Sequence, residues 1–338
     1  MRLPYFGGKE EENLHHTVQL CPEEQIDTFV DCCFGSGNVT RTIPCEMLGV
    51  KKVGIELDRG MFALHSQIKK DVYALIDKIK TMKNGEESFL VNKRKLEEYV
   101  EGSEKYSMIE IAAAELFVLA FSYNSMRSQW RNADFYKKHT SDAERDKAKK
   151  TAEAFHNRFY EKIPIILLDL NVAWQELNLI NGNFFDYTHY WDQIGTLCYL
   201  DLPYELKKRG IKQKQKKGAG YMKDMTQVEH EKFIGEVCRK AKEGHLSGWL
   251  MICTNYEIDE TGELIIEAND LYTELLKCGF RMVVTERKES SEIIRKNSHH
   301  DRKKRRKKAE VIFINYSNIR GSWDNYEWYD YQKLFGNK

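Results

Sequence analysis

The stretch TFVDCCFGSGN, residues 28–38, decides the fold, because an apolar run ends there in an acid and then enters a glycine turn. The run predicts a buried β-strand, and the glycines allow a sharp turn that approaches a ligand closely. The apolar spacing of Val39–Met47 predicts a helix after the turn, despite Pro44. Free N–H groups of the turn and helix would then meet a polar or anionic group of the ligand. A strand-to-loop glycine pair that binds nothing is the alternative.

A second acid favours the nucleotide-binding interpretation. The stretch GIELD, residues 54–58, ends the next apolar run and places Glu56 where nucleotide-binding folds hold two ribose hydroxyls. A solvated acid at the end of a strand is the alternative for Glu56.

Further short apolar runs extend this pattern along the chain. They occupy residues 52–57, 196–200, 249–254, 282–285 and 311–316. Helical patterns at 227–241 and 263–277 lie between some of them, so we expect a Rossmann-like α/β fold with a doubly wound, mostly parallel sheet. The last two runs, joined by a basic segment, predict a hairpin whose final strand is antiparallel, at or near one edge of the sheet.

The alternation stops in the middle of the chain, where the sequence becomes charged and helical. Ile109–Phe121 predicts a buried helix, and Asp142–Lys162 predicts an amphipathic one. We expect the α/β domain to consist of two halves, residues 1–75 and 174–317. A mainly helical insertion would occupy residues 76–173, and an aromatic tail residues 318–338. We expect the tail to pack across the sheet or to form an oligomer contact.

Basic charge is concentrated in two places. Among 338 residues, 53 Lys and Arg stand against 52 Asp and Glu, and 41% of residues are hydrophobic, which excludes a disordered tail or a generally basic chromatin-type protein. Residues 207–217 and 302–308, however, hold 14 basic residues and no acid, so the remainder carries 39 basic against 52 acidic residues. A basic face on an acidic body predicts a polyanionic partner.

Cysteine usage predicts a cytoplasmic protein. The eight cysteines form no CxxC pair and lie mostly in apolar runs, which is typical of reduced core residues, and no metal is expected. The N-terminus lacks the apolar region of a signal peptide, and nowhere are 18 apolar residues consecutive, so we expect no membrane association.

The stretch DLPY, residues 201–204, again ends an apolar strand with an acid. The proline pushes Leu202 toward extended backbone, which leaves its carbonyl outside any helix. Asp201 and that carbonyl could accept both hydrogens of an exocyclic amino group, and the Tyr204 ring could stack on a base. An ordinary strand end followed by a proline turn is the alternative.

In their order, these motifs resemble those of the D12 class of N6-adenine DNA methyltransferases, the Dam-like group with the alpha motif order. That class opens with an aromatic residue and GGK, here YFGGK at residues 5–9. Its glycine loop is matched by Asp31 and Phe34–Gly37, its Gly-Asp-Phe motif is echoed at 182–184, and its catalytic DPPY corresponds to 201–204. The resemblance spans nearly the whole chain, and its specificity rests on the joint order of the motifs.

The resemblance implies site-specific methyl transfer from S-adenosylmethionine to the N6 of an adenine flipped out of DNA. The implied catalytic residues are Asp201, Leu202, Pro203 and Tyr204. The implied cofactor-binding residues are Tyr5, Lys9, Asp31, Phe34, Gly35, Ser36, Gly37, Glu56, Asn183, Phe184 and Asp201. Neither a metal nor a covalent enzyme intermediate is implied.

The resemblance also implies double-stranded DNA as the partner of a protein that is a monomer or weak dimer, as in restriction-modification systems. The basic segments would grip phosphates, and the insertion would read bases. The implied DNA-binding residues are Asn124, Arg127, Arg131, Lys207, Lys208, Arg209, Lys212, Lys214, Lys303, Arg305 and Arg306. The alternatives are a solvated loop, a basic tail patch, and residues that cap and pack the end of the preceding helix.

Two residues depart from the family pattern. Leu202 replaces the first proline of DPPY, although the contact needed there is a backbone carbonyl. Asn183 stands where the family usually has an acid, and its amide oxygen is a weaker acceptor for an adenine amino group.

Three other functions stay open at this stage. A catalytically weak DNA-binding relative would keep the basic face but lose the function of DLPY. Cytosine N4 or an RNA base is a possible acceptor, because the same Asp and carbonyl pair serves any amino group. A nicotinamide-dependent oxidoreductase would share the glycine turn and Glu56, but it leaves DLPY and both basic runs unexplained.

Overall fold

The structure, a computed structural model, describes most of the chain. The described residues are 3, 11–42, 49–122, 127, 130, 146, 150, 153–202, 225–266, 270–293 and 305–336, with the backbone alone at 11–13, 288–293 and 305–307. None of the helices within these ranges combines the length and apolar character needed to span a bilayer.

The described residues form a mixed α/β fold around an eight-stranded sheet. The strands are β1 (Thr28–Asp31), β2 (Lys51–Glu56), β3 (Leu177–Asn181), β4 (Thr196–Asp201), β5 (Trp249–Glu257), β6 (Arg281–Ile293), β7 (Arg305–Ile314) and β8 (Glu327–Tyr329). Their order across the sheet is β3-β2-β1-β4-β5-β7-β6-β8. The first five strands in that order are parallel, whereas β7 runs antiparallel to both β5 and β6, and β8 antiparallel to β6. The sheet is therefore mostly parallel, consistent with the expected Rossmann-like fold.

Helices cover both faces of this sheet. They are α1 (Glu11–Gln19), α2 (Asn38–Thr42), α3 (Arg59–Lys70), α4 (Val72–Thr81), α5 (Glu86–Val100), α6 (Met108–Phe121), α7 (Ile163–Trp174), α8 (Gln227–Lys242), α9 (Asp270–Thr273) and α10 (Tyr331–Phe335). A π-helical turn at Arg158–Lys162 precedes α7, and 3-10 helices occupy Phe184–Asp192, Glu274–Cys278 and Trp323–Asn325.

Burial explains why the central strands are apolar along their whole length. In β4, the five residues from Thr196 to Leu200 are all buried, and β1 is buried from Phe29 to its end. A strand covered on both faces cannot alternate apolar and polar side chains, because both faces exclude water. One apolar cluster, containing Phe233, lies between the sheet and α8, and another, containing Phe29, lies beside α1.

The part of the chain between β2 and β3 is helical wherever it is described, apart from short connections and the isolated residues 127 and 130. Helix α6 is buried at every position from Ile111 to Phe121, as its sequence predicts, because α3, α4 and α5 surround it. Three rings, Phe117, Phe121 and Phe159, pack together with centroids 4.7–5.5 Å apart. In the predicted amphipathic helix at 142–162, nine of the 21 residues lie outside the described residues, and the other twelve are helical, ending in the π-helical turn at Arg158–Lys162.

The last two long strands form the predicted hairpin. Strand β7 is antiparallel, as predicted, and the expected place at or near one edge corresponds to a position between β5 and β6, two strands in from the edge strand β8. The hairpin is longer than its apolar residues suggest, since β6 continues to Ile293 and the basic residues from Arg305 already belong to β7. Main-chain pairing therefore extends the hairpin through residues whose side chains are charged.

The predicted helix at 263–277 is wrong in its first part. Leu264 forms a β-bridge with Ile258, and Ile265 donates its backbone N–H to Glu257. Helical geometry is described at Ile266 and then from α9 onward, where it continues as the 3-10 helix that ends at Cys278. Pairing with the end of β5 thus overrides the apolar spacing of this segment.

Candidate functional site

Three acidic residues end three neighbouring parallel strands. Asp31 ends β1, Glu56 ends β2 and Asp201 ends β4. Strand β1 lies between the other two, because the chain continues from β1 to β2 and β3 on one side and then crosses to β4 and β5 on the other side. Such a switch point opens a crevice at the carboxyl ends of the strands, which is where α/β proteins bind ligands. The structure therefore brings the three predicted acids to one place.

Asp31 is almost fully buried, with an exposed fraction of 2%. The hydroxyl of Thr40 in α2 donates to its Oδ2 at 2.8 Å. Its Oδ1 is buried and has no hydrogen-bond partner among the described residues. Burial raises the pKa of Asp31 to about 7, and the nearby charge of Asp201 acts in the same direction. Asp31 therefore offers an unused acceptor at the switch point.

Glu56 is held by two backbone N–H groups. Gly35 donates to its Oε2 at 2.7 Å and Asp58 donates to its Oε1 at 2.7 Å. Burial raises the pKa of Glu56 to about 8, and the charge of Asp58 adds to the effect. The expectation that the turn offers its N–H groups to a ligand is therefore wrong for Gly35, because the Glu56 carboxylate already accepts that N–H.

The glycine turn needs residues without side chains. Gly35 and Gly37 have φ angles of 51° and 70°, in the left-handed region that favours glycine. The ring of Phe34 lies under the turn and contacts the Trp174 ring, at a centroid distance of 5.3 Å. A Cβ atom on Gly37 would lie 2.6 Å from Trp174 Cζ2. The turn is thus wedged between the sheet and the end of α7.

We expect Gly37→Ala to lower the free energy of unfolding by about 2–4 kcal/mol, because it combines a left-handed φ with a steric overlap. Gly49→Ala is the matched control, since Gly49 has a φ of 79° but no atom within 4 Å of its added Cβ. The control should cost about 1 kcal/mol, from backbone strain alone. Denaturant unfolding of both variants measures the difference. Equal losses would show that contact with Trp174 does not constrain the turn.

The end of β4 carries the predicted catalytic residues. Asp201 is half-buried, and Leu202 is 1% exposed because its side chain belongs to the apolar cluster under α8. The residue that departs from the DPPY pattern therefore contributes to the core. Pro203 and Tyr204 lie outside the described residues.

Residues 182 and 183 lie beside Glu56, on the neighbouring strand end. The backbone N–H of Gly182 donates to the Glu56 carbonyl at 3.1 Å. Asn183 caps the following 3-10 helix, because its Oδ1 accepts from the N–H of Phe185 at 3.1 Å. The predicted cofactor residue Phe184 is a buried core residue that stacks on Phe185 at a centroid distance of 4.4 Å. The amide oxygen of Asn183 thus has one acceptor position engaged by its own turn.

Arg127 is buried, with an exposed fraction of 7%. Its Nη1 donates to Asp58 Oδ2 at 2.6 Å, its Nε donates to Glu115 Oε1 at 2.8 Å, and its Nη2 also bonds to Glu115. In this arrangement the guanidinium faces inward and ties the residue to α6 and to the cap of α3. This corresponds to the alternative of packing at the helix end.

The other predicted contacts with DNA are only partly described. Arg305 and Arg306 lie at the start of β7, and nothing is described of their side chains. Several predicted site residues lie outside the described residues, namely Tyr5, Lys9, Asn124, Arg131, Lys207, Lys208, Arg209, Lys212, Lys214 and Lys303.

Sequence reasoning missed residues that support the site. Thr40 binds Asp31, Asp58 binds Glu56, and His65 and Trp174 pack on the glycine turn. Asp58 had a signal, because an acid before a helix is a typical N-cap, and its Oδ1 accepts from the N–H groups of Gly60 and Met61. His65 carried no such signal, since it lies in an ordinary helical pattern.

Comparison with known proteins does not assign this chain to a family. No protein-family model matches this chain, and no curated protein matches it either. Within the described ranges, no group of three His, Cys, Asp or Glu side chains is arranged to hold a metal ion. The fold and the three acids therefore define an α/β protein whose switch point carries three acidic strand ends.

Proposed function

We propose that this chain is an S-adenosylmethionine-dependent DNA methyltransferase that acts on the N6 of adenine. The observation that carries the proposal is the acidic switch point formed by Asp31, Glu56 and Asp201. Each of these acids has a distinct partner in such a reaction: a cationic amino-acid group, a ribose and a target amine. The order of the sequence motifs supports the same assignment.

The charge of the crevice disfavours a dinucleotide. Sites for nicotinamide cofactors place a pyrophosphate against the glycine turn, where free N–H groups and a helix N-terminus meet its negative charge. Here the N–H of Gly35 is taken by Glu56, and Asp31 lies directly before the turn. A pyrophosphate would therefore meet carboxylates. A ligand with a positive charge and several donors suits this crevice better.

S-adenosylmethionine fits these residues. Its ammonium group matches the unpaired, buried Oδ1 of Asp31, and its ribose hydroxyls match Glu56. Asn183 would accept from the adenine amino group, although one acceptor position of its amide oxygen serves the turn. When bound, this cofactor supplies a methyl group activated by a sulfonium.

Asp201 and Leu202 would prepare the target amine. The lone pair of N6 is conjugated with the adenine ring, so the nitrogen is a poor nucleophile. The Asp201 carboxylate and the Leu202 carbonyl, accepting the two hydrogens, would favour a more tetrahedral nitrogen. Asp201 would also stabilise the positive charge that develops there. Holding amine and methyl donor together in a closed complex supplies much of the remaining rate.

The DNA would be held by basic residues at the same end of the sheet. In the register of the sheet, Lys308 of β7 lies opposite Glu257, at the end of β5, and opposite Lys288 of β6. Strand β5 runs parallel to β4, so the basic part of the hairpin lies toward the end of the sheet that carries Asp201. Phosphate contacts there would leave a flipped base near the crevice.

We expect the affinity for S-adenosylhomocysteine to rise as the pH increases from 6 to 8. Burial raises the pKa of Asp31 to about 7 and that of Glu56 to about 8, and both must be ionised to accept from the ligand. Below its pKa, each group lowers the affinity about tenfold per pH unit. Isothermal titration at pH 7 in buffers of different ionisation enthalpy should show net proton release.

The raised pKa values of Asp31 and Glu56 also make the stability of the unliganded protein fall as the pH rises. A carboxyl group whose pKa is raised by folding binds its proton more tightly in the folded state. The contribution of such a group to the free energy of unfolding is fully present below its unfolded pKa. It is lost as the pH rises through the pKa of the folded state, near 7 for Asp31 and 8 for Glu56.

For the ligand titration, an affinity for S-adenosylhomocysteine that does not depend on pH and releases no protons would contradict the assignment of these acids to the ligand.

A thermal-shift comparison tests the proposed ligand class. S-adenosylhomocysteine at 100 times its dissociation constant should stabilise the protein by about 2.7 kcal/mol, because it binds only the folded state. NAD at the same concentration should leave the unfolding midpoint unchanged. Stabilisation by NAD and not by S-adenosylhomocysteine would overturn the proposal.

A further inference from the structure

His65 is a fully buried histidine behind the glycine turn. It lies in α3, and its exposed fraction is 0%. Its Nε2 lies 2.7 Å from the carbonyl oxygen of Gly35, and its Nδ1 lies 3.3 Å from the indole Nε1 of Trp174. The ring also packs edge-on against Phe34, at a centroid distance of 4.7 Å. The imidazole thus bridges the turn and the end of α7.

The two partners select one tautomer. An indole N–H can only donate, so Nδ1 must be the acceptor, and a carbonyl can only accept, so Nε2 must carry the hydrogen. Both contacts therefore require the neutral ring with hydrogen on Nε2. Burial lowers the pKa of His65 to about 4, which keeps the ring neutral near pH 7. His65 is accordingly a fixed donor to the Gly35 carbonyl.

This donor acts on the peptide groups that hold Glu56. Gly35 accepts from His65 through its carbonyl and donates to Glu56 Oε2 through its N–H. Its φ angle of 51° lies in the left-handed region, so the turn relies on surrounding contacts to stay in place. The Gly35 carbonyl and N–H belong to adjacent peptide groups that meet at its Cα, so the contact from His65 restricts the rotation at Gly35 and helps to hold the N–H that positions the Glu56 carboxylate.

Trp174 connects the helical segment to this arrangement. It is the last residue of α7 and is fully buried, with its ring against Phe34 and close to Gly37. Its indole N–H orients the histidine from the side opposite the turn. The end of α7, which lies outside the β1–β2 unit, therefore helps to stabilise the turn.

We propose that His65 is a positioning residue for the cofactor site, and that the Gly35 carbonyl and the Trp174 indole together select its tautomer. The inference rests on the proposed function, because it assigns to Glu56 the ribose of the cofactor. His65 contacts neither substrate nor reacting atoms in this assignment. It holds the Gly35 peptide so that Glu56 is oriented before the ligand arrives, which lowers the cost of binding.

Two amide variants test whether the hydrogen-bond donor of His65, and not the size of its ring, supports cofactor binding. In His65→Gln, the amide nitrogen stands at the position of Nε2 and can still donate to Gly35. In His65→Asn, the amide ends one atom earlier and cannot reach the carbonyl. S-adenosylhomocysteine binding is measured for both, together with the binding of duplex DNA in the absence of cofactor.

We expect His65→Asn to weaken S-adenosylhomocysteine binding at least about tenfold, because it leaves a buried carbonyl without its donor. The affinity of His65→Gln for S-adenosylhomocysteine should stay within about threefold of that of the parent protein, because this variant keeps a donor to the carbonyl. DNA binding should be unchanged in both, which a general loss of structure would not allow. Equal cofactor affinities of the two variants would overturn the positioning role.

Nitrogen-15 NMR of histidine-labelled protein tests the tautomer independently of any ligand. The resonances of His65 are those that His65→Gln removes, and they should show a protonated Nε2 and an unprotonated Nδ1. Trp174→Phe removes the indole donor but leaves the Gly35 carbonyl, so Nε2 should keep its hydrogen while the Nδ1 resonance moves to that of a nitrogen that accepts no hydrogen bond. A parent protein with hydrogen on Nδ1 would contradict the inference alone, whereas a parent that does not bind S-adenosylhomocysteine would contradict the proposed function and the inference with it.

Discussion

Asp201→Asn should reduce methyl transfer to DNA by about 10²–10³-fold, because it removes the charge that stabilises the developing cation on the target amine. Asparagine keeps the size of the side chain and one acceptor oxygen, so geometry changes little. The affinity for S-adenosylhomocysteine should change far less than the rate. Single-turnover transfer from labelled cofactor, combined with equilibrium binding, separates the two effects.

Asp27→Asn is a matched control for this experiment. Asp27 directly precedes β1 and is exposed at the amino end of the strand, opposite the crevice. Its replacement removes the same charge from the same sheet and should leave the transfer rate unchanged. If Asp201→Asn transferred methyl groups as fast as this control, Asp201 would have no role in the chemical step.

Arg127→Met should lower the free energy of unfolding by about 3–5 kcal/mol, because it leaves the buried Glu115 carboxylate and the partly buried Asp58 carboxylate without their cationic partner. Asp58 and Glu115 both bond to the Arg127 guanidinium, and Glu115 is 1% exposed. Burial already raises the pKa of Glu115 to about 7 against the influence of Arg127. The loss should therefore be larger at pH 8 than at pH 5.5, where the uncompensated Glu115 takes up a proton.

Arg239→Met provides the comparison on the surface. Arg239 also bonds to two carboxylates, those of Glu236 and Glu243, but its side chain is 49% exposed, against 7% for Arg127. Water and salt screen such a pair, so its removal should leave the unfolding midpoint close to that of the parent. Equal effects of the two substitutions in denaturant unfolding would show that the Arg127 network is not a buried anchor.

Much of the sheet was predictable from sequence, because buried parallel strands show as continuous apolar runs. Strands β1, β2, β4 and β5 begin within one residue of their predicted starts. Strand β3, with the sequence LNLIN, was missed because two asparagines interrupt its apolar run and it lies at the edge of the sheet. Strand β8 has only three residues and depends on pairing with β6.

The acids of the crevice were predictable, but their partners were not. Asp31, Glu56 and Asp201 follow apolar runs, so both their position and their shared edge follow from the alternation of strands and helices. His65 and Trp174 are separated by 109 positions, and the hydrogen bond between them exists only once α3 and α7 pack together. Arg127 was predicted to face DNA because sequence spacing does not reveal the carboxylates of Asp58 and Glu115 beneath it.

The most direct measurement is the identity of the methylated nucleoside. The protein is incubated with methyl-labelled S-adenosylmethionine and mixed-sequence duplex DNA, and the DNA is then digested to nucleosides and separated. We predict label in N6-methyldeoxyadenosine, with little label when Asp201→Asn replaces the parent protein. Label in N4-methyldeoxycytidine, or in RNA alone, would contradict the assigned acceptor, and DNA that binds without receiving any label would contradict the assignment as a methyltransferase.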